Sequence, residues 1–283
     1  MSIDYIRDYN IICENKLRQF NYVCSPSDEP ALVWMNYKAR SILPYPRIVH
    51  IPYYFSYPLQ FNTAINDLFN DVILGMPIKK YQSKQINNPS ALDAMLFDWN
   101  IHHFHLRKSQ IGLFDVERTE NLLFAIVMPL DFYCLAVGKH GDWCDKRLLN
   151  IALENWPYLL APYRIKGNVG TFPTSDDYKK LRKACINNII SLSDGNCYFP
   201  LGGGLTTNGF SQKVVLDYLQ IQRVLNGIQE RSQSIDFLQK VESVSQISIQ
   251  KPNWILKDIS FASLMYTLYD PQLNLMVDVT HEP

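Results

Sequence analysis

Residues 99–156 read WNIHHFHLRKSQIGLFDVERTENLLFAIVMPLDFYCLAVGKHGDWCDKRLLNIALENW, and their reading decides the fold. From Ile101 to Leu106 the side chains alternate, with His102, Phe104 and Leu106 on one side and Ile101, His103 and His105 on the other, the period of a strand. Leu122 to Val127 is a short apolar run rich in β-formers, and the chain resumes as a strand over 131–138 after Met128-Pro129-Leu130. Pro129 has no N–H to give to a ladder, so it belongs in a hairpin connection. Gly138 ends the third strand. Asp142 or Cys144 is then placed to cap a helix through Asn155, with Leu148, Leu149, Ala152 and Leu153 at core-facing spacing and Pro157 as its stop. The expected fold class is α+β. A central antiparallel sheet, with strands near 101–106, 121–127 and 131–138, is packed by helices on one face and joined to a largely helical C-terminal part.

Upstream, residues 1–24 read as an initial helix and 25–30 as a loop, while 31–43 fit a strand or a helix equally. Four prolines interleaved with tyrosines make 44–58 extended and irregular, with the tyrosines read as packing residues that keep an edge in water. Leu59 to Ile73 has the spacing of an amphipathic helix closed by Gly75. A lysine-containing loop follows, read as solvated surface, and a short helix over 91–98 feeds the central stretch. Downstream, 158–177 is turn-rich and 178–190 helical. The segment CYFPLGGGLTTNGFS precedes a helix capped by Ser211, with 229–250 as its continuation. The last strand signals are FASLMYTLYD and NLMVDV. This organisation divides the chain at about residues 98 and 160, into an N-terminal segment (1–98), the central core (99–160) and a C-terminal part (161–283).

At 283 residues, 47% of them hydrophobic and 19% charged, the composition is that of an ordinary globular protein with ample chain for a core. Formal net charge is zero, so nothing global advertises nucleic acid or an anionic membrane. The six cysteines are scattered without a CxxC, no signal peptide is evident, and no apolar run approaches the roughly 20 residues that span a bilayer. A reducing cytoplasm with free thiols, and no membrane partner, is the expectation.

Four of the six histidines fall in the central stretch, and three chemistries compete for them. The first is metal-free acid–base work on RNA, with no cofactor. Cleaving a phosphodiester needs a base for the 2′-hydroxyl, an acid for the leaving oxygen and cations for the phosphorane charge. His103 and His105 share a strand face, and His140 and Lys139 sit just beyond a neighbouring strand. Arg118 lies in the loop before that strand, where its guanidinium suits phosphate.

The order of a histidine-bearing strand, a basic loop, the strand NLLFAIV, a hairpin and a strand ending in GKHG resembles the C-terminal sheet of RelE/ParE-like toxins, of the barnase–colicin–RelE group of endoribonucleases. The resemblance covers residues 99–141. It implies metal-independent RNA cleavage by a toxin-like effector, with His103, His105 and His140 moving protons, Arg118 and Lys139 holding phosphate, and RNA as partner.

The second reading is a Zn site drawn from His103, His105, His140 and Cys144. The third is structural: packed histidines in a non-catalytic interaction or regulatory module, meeting a protein inhibitor or a partner of a toxin–antitoxin or defence system. The glycine-rich turn, Gly202, Gly203 and Gly204 with Ser211, is a possible anion loop ahead of a helix start, or a tight β-turn. It matches no nucleotide-binding fingerprint.

Overall fold

The computed structural model describes residues 3–107, 118–166 and 173–280. Along the chain lie α1 (Tyr5–Arg18), α2 (Pro30–Arg40), β1 (Ile48–His50), α3 (Asn62–Ile73), α4 (Ala94–Trp99), β2 (His102–Arg107), β3 (Arg118–Val127), β4 (Asp131–Lys139) and α5 (Arg147–Asn155). They are followed by β5 (Arg164–Ile165), α6 (Ser175–Lys183), β6 (Ile190–Ser191), β7 (Cys197–Tyr198), α7 (Gln212–Ser232), α8 (Ile235–Ser245), β8 (Ile255–Ser260), β9 (Met265–Asp270) and β10 (Leu275–Thr280). The fold is α+β, and it divides into two compact units, Met1–Met35 with Val214–Pro283, and Asn36–Lys213.

The linear division at residues 98 and 160 therefore gives way to a discontinuous one. The reason lies in α1, where Tyr5, Tyr9 and Cys13 recur every fourth residue and present one apolar stripe. That stripe shares a core with Trp254, just before β8, and with Leu256, Tyr266 and Leu268 of the antiparallel meander β8–β9–β10. The Asp8 carboxylate also accepts from the Leu256 N–H at 2.8 Å. Among the described residues, the C-terminal part 161–283 holds α6, α7 and α8 together with two three-stranded sheets, β5–β7–β6 and β10–β9–β8. The long helix expected through 250 is broken at Ser234, whose hydroxyl accepts from the Phe237 N–H at 3.3 Å and caps a separate α8.

In the unit Asn36–Lys213 the sheet order is β1–β4–β3–β2. Strands β4, β3 and β2 are antiparallel as expected, and β1 adds a parallel edge, with Val49 opposite Phe132. Helices cover both faces of this sheet, not one. On one face Ile101, Leu122, Phe124, Ile126 and Leu135 pack with Leu148, Leu149 and Ala152 of α5. On the other, Phe104, Leu123, Ala125, Phe132 and Cys134 pack with Ile65, Leu68 and Val72 of α3. Two-sided burial is what the uninterrupted run Leu122–Ile126 requires, since a half-solvated strand would alternate. Phe124 pairs with Ala136 but Ala125 with Cys134, so Leu135 is the extra residue of a bulge. The bulge turns Leu135 and Ala136 toward the same core.

Several helix ends differ from expectation for local reasons. Residues 31–43, ambiguous by pattern, fold mainly as α2. After β4, Asp142–Cys144 forms a 3-10 turn, and α5 starts only at Arg147, whose N–H donates to the Asp145 carboxylate at 3.0 Å. Thr174 and Asp177 form a reciprocal capping box at the start of α6, which ends before Cys185 at φ 55.

Candidate active site at the edge of the central sheet

Strand β2 ends the sheet, and a cleft of about 440 Å³ runs along it. Because successive side chains point to opposite faces, His102 and His103 both reach this cleft but from opposite sides of the strand. His103 lies opposite Phe124 and His105 opposite Leu122, one row apart on the face covered by α5.

His140 reaches the same face from the end of β4. Its N–H still bonds to the Glu120 carbonyl at 3.1 Å, while the Lys139 N–H bonds to the Asp142 carboxylate at 2.8 Å. Gly138 allows this turn. A Cβ there would stand 2.6 Å from Asp142 Oδ2 and 2.9 Å from the Phe124 ring. The three imidazoles form a chain, with ring centres 6.0 Å apart for His103 and His105 and 5.3 Å for His105 and His140. Trp143, on the 3-10 turn, meets His103 at 4.9 Å and His140 at 5.3 Å, both edge to face.

The three rings are not equivalent. His140 is exposed and His103 half-buried, and both line the cleft, whereas His105 is only 5% exposed and is not part of the lining. Of the three residues expected to move protons, then, two open onto the cleft and one lies beneath. Burial lowers the proton affinity of His103; the Asp93 carboxylate opposes that effect and His140 reinforces it. The Asp93 Oδ2 stands 3.9 Å from His103 Nδ1, while its Oδ1 caps α4 by accepting from the Leu96 N–H at 3.0 Å. His102, 8% exposed, also reaches the cleft, and burial pushes it down to about 4.

Cations come from elements the sequence reading did not single out. Lys179 and Lys183, one turn apart on α6, line the cleft and are exposed. Arg40 lines it from α2, its guanidinium donating to the carbonyls of Gln85, Asn88 and Pro89 at 2.8–3.2 Å. Arg182 serves the framework instead. It pairs with Asp98 at 2.8 Å, lies 4.2 Å from the centre of the Trp99 ring and donates to the Trp143 carbonyl, which ties α6 to α4 and to the turn bearing Trp143. A lysine pair at helical spacing and an aspartate opening a helix were the signals available for Lys179, Lys183 and Asp93.

The remaining expected site residues are placed elsewhere. Lys139 is exposed and does not line the cleft. Arg118 begins β3, but its side chain lies outside the described residues. The glycine-rich turn is not an anion loop. The N–H groups of Gly202, Gly203 and Gly204 bond to the carbonyls of Asp98, Pro200 and Phe97 at 2.9–3.0 Å, and Ser211 is buried at 4% exposure. Gly202 packs so closely that a Cβ would stand 2.3 Å from the Leu96 carbonyl oxygen. The glycines thus dock the turn onto the end of α4.

Cys144 lines the cleft, with its thiol pushed up by burial, and all six cysteines are free. Among the described residues no three His, Cys, Asp or Glu side chains form a group that could hold a metal ion. No helix among them is long and apolar enough to cross a membrane. No family model, curated protein or solved structure matches the chain.

Proposed function

We propose that the cleft along β2 carries out metal-independent acid–base cleavage of single-stranded RNA, making the protein a toxin-like endoribonuclease. One observation carries the reading: His103 on β2 and His140 just past β4 open onto one cleft and both meet the Trp143 ring, with the exposed Lys179 and Lys183 in its wall. The pattern shared by residues 99–141 with RelE/ParE-like toxins supports the same reading. A volume near 440 Å³ is in the range of small-ligand sites, large enough for a nucleotide-sized part of a chain.

In this reading His103 is the base, because burial favours its neutral form at pH 7. It takes the 2′-hydroxyl proton as the 2′-oxygen attacks phosphorus. His140 gives a proton to the departing 5′-oxygen as the P–O5′ bond breaks, leaving a 2′,3′-cyclic phosphate and a 5′-hydroxyl. Lys179 and Lys183 stabilise the charge on the non-bridging oxygens. Trp143 offers a ring face for a base.

Wild-type protein is expected to cleave a fluorogenic RNA in the presence of EDTA. His103→Ala and His140→Ala should each lose about 10²- to 10⁴-fold in rate. RNA left intact by the wild type, or cleavage that survives both substitutions, overturns the reading.

A second reading, a non-catalytic module held by a protein inhibitor or defence-system partner, is favoured by Tyr53 and Tyr54, which are 85% and 88% exposed with rings 4.7 Å apart. Adjacent exposed tyrosines are more typical of interfaces than of solvated loops. Intact RNA together with loss of partner binding in a Tyr53→Ser, Tyr54→Ser double variant would favour it.

A further inference from the structure

We infer that Asp93 is a positioning residue, one that holds the His103 imidazole in the tautomer with its proton on Nδ1 and so leaves Nε2 as the base. The inference rests on the reading of His103 as the base of the cleft.

Three observations carry it. First, His103 Nδ1 is buried and has no hydrogen-bond partner among the described residues, which is uncommon for a ring nitrogen in a well-packed site. Second, among the described residues Asp93 is the one carboxylate within 4.0 Å of that imidazole, with Oδ2 at 3.9 Å from Nδ1. A separation of this size is too long for a hydrogen bond and short enough to close by a small rotation of the imidazole. Third, Asp93 is itself immobilised. Its Oδ1 accepts from the Leu96 N–H at 3.0 Å as the cap of α4, so the carboxylate is fixed with the second oxygen left for His103.

The remaining neighbours do not offer the same service. His105 and Trp143 present ring faces or edges at 6.0 and 4.9 Å between centres, and Lys179 and Lys183, which share the cleft, bring only donors. An acceptor facing one imidazole nitrogen selects the tautomer that donates to it, and that choice decides which nitrogen keeps a lone pair for proton abstraction. Asp93 thus joins helix capping to imidazole orientation in one side chain.

The test separates the two jobs. Asn and Ser are N-caps as effective as Asp, so Asp93→Asn and Asp93→Ser keep α4 capped. Asn places an amide where the free carboxylate oxygen can stand, and Ser leaves that place empty. Long-range ¹H–¹⁵N correlation of the histidine rings in the full chain at pH 8 reads the tautomer of His103 directly, whether or not the protein cleaves RNA. The expected result is an Nδ1–H imidazole in the wild type and a shift toward the Nε2–H form in both variants. With that shift, kcat on RNA should fall by about 10- to 100-fold, part of what a positioned base contributes, at an unchanged KM.

An Nε2–H imidazole in the wild type, or a tautomer indifferent to both substitutions, overturns the inference even if cleavage falls. A wild type that leaves RNA intact while its tautomer responds to Asp93 would retire the nuclease reading alone and leave Asp93 as the residue that orients His103.

Discussion

His102 and His103 are neighbours in sequence with opposite roles, because a strand sends them to opposite faces. His103 shares its face with His105 and stands within reach of Trp143; His102 packs beside Phe104, 8% exposed, with its proton affinity lowered by burial from the ordinary 6.5 to about 4. The folded protein therefore binds fewer protons at this ring than the unfolded chain does between those two values. Stability is full above about pH 6.5 and is lost as pH falls toward 4. A gap of this size is worth about 3 kcal/mol, of which about 2 kcal/mol should be gone by pH 5. Urea unfolding at pH 7.5 and pH 5 should show a clearly smaller acid-side loss for His102→Leu than for wild type; equal losses would mean that His102 is not buried neutral. At Gly202 the constraint is steric. Alanine there collides with the Leu96 and Phe97 carbonyl oxygens, 2.3 and 2.4 Å from the added carbon, and backbone cannot swing aside as a side chain can. Gly202→Ala is expected to cost about 1–3 kcal/mol in thermal or chemical unfolding, the range for overpacking a filled site. Gly203→Ala provides the contrast: its nearest neighbours are at 3.6 Å and its penalty is the positive φ of 89°.

Among the elements, α4 and α6 support the cleft, and the buried Asp98–Arg182 pair joins them. Asp98 is held up by burial and brought back by Arg182, and it also accepts from the Tyr178 hydroxyl at 3.2 Å. Removing one partner leaves an uncompensated buried charge, so Arg182→Met should destabilise the protein by about 3–5 kcal/mol. The double variant Asp98→Asn, Arg182→Met should recover part of that loss. A double variant no better than the single one would show that Arg182 acts through its contacts with Trp99 and the Trp143 carbonyl instead. These elements were partly legible. The alternation at 101–106, the run 122–127 and Pro129 located three strands, because period and proline chemistry are local properties. The fourth strand, β1, is only three residues of a proline-rich segment and is a strand only because Asp131–Tyr133 offers it a ladder. The same limit explains the site. His103 and His140 stood out by residue type, but Lys179, Lys183 and Arg40 reach the cleft through packing of helices that no local pattern records. The glycine triplet misled for the complementary reason: sequence shows that backbone N–H groups are available, and only the folded chain shows that carbonyls have already taken them.

Taken whole, the chain carries 27 Lys and Arg against 27 Asp and Glu. A molecule with no net charge gains nothing from net charge in gathering a polyanion, so on the proposed reading RNA affinity rests on the few cations in the cleft wall. That wall offers the exposed Lys179 and Lys183, the guanidinium of Arg40 being taken up by the carbonyls of Gln85, Asn88 and Pro89. Each phosphate contact on a single strand contributes about −0.7 to the slope of log affinity against log salt, so two contacts set a slope of about −1.4. Titrating a labelled oligonucleotide across roughly 50–200 mM salt should therefore give a shallow line, flattened further by Lys179→Ala or Lys183→Ala. A slope steeper than about −4 in the wild type would require phosphate contacts well beyond the cleft. The RNA would then be held by a surface other than the edge of β2, and the proposal that the two cleft histidines act on it would fail.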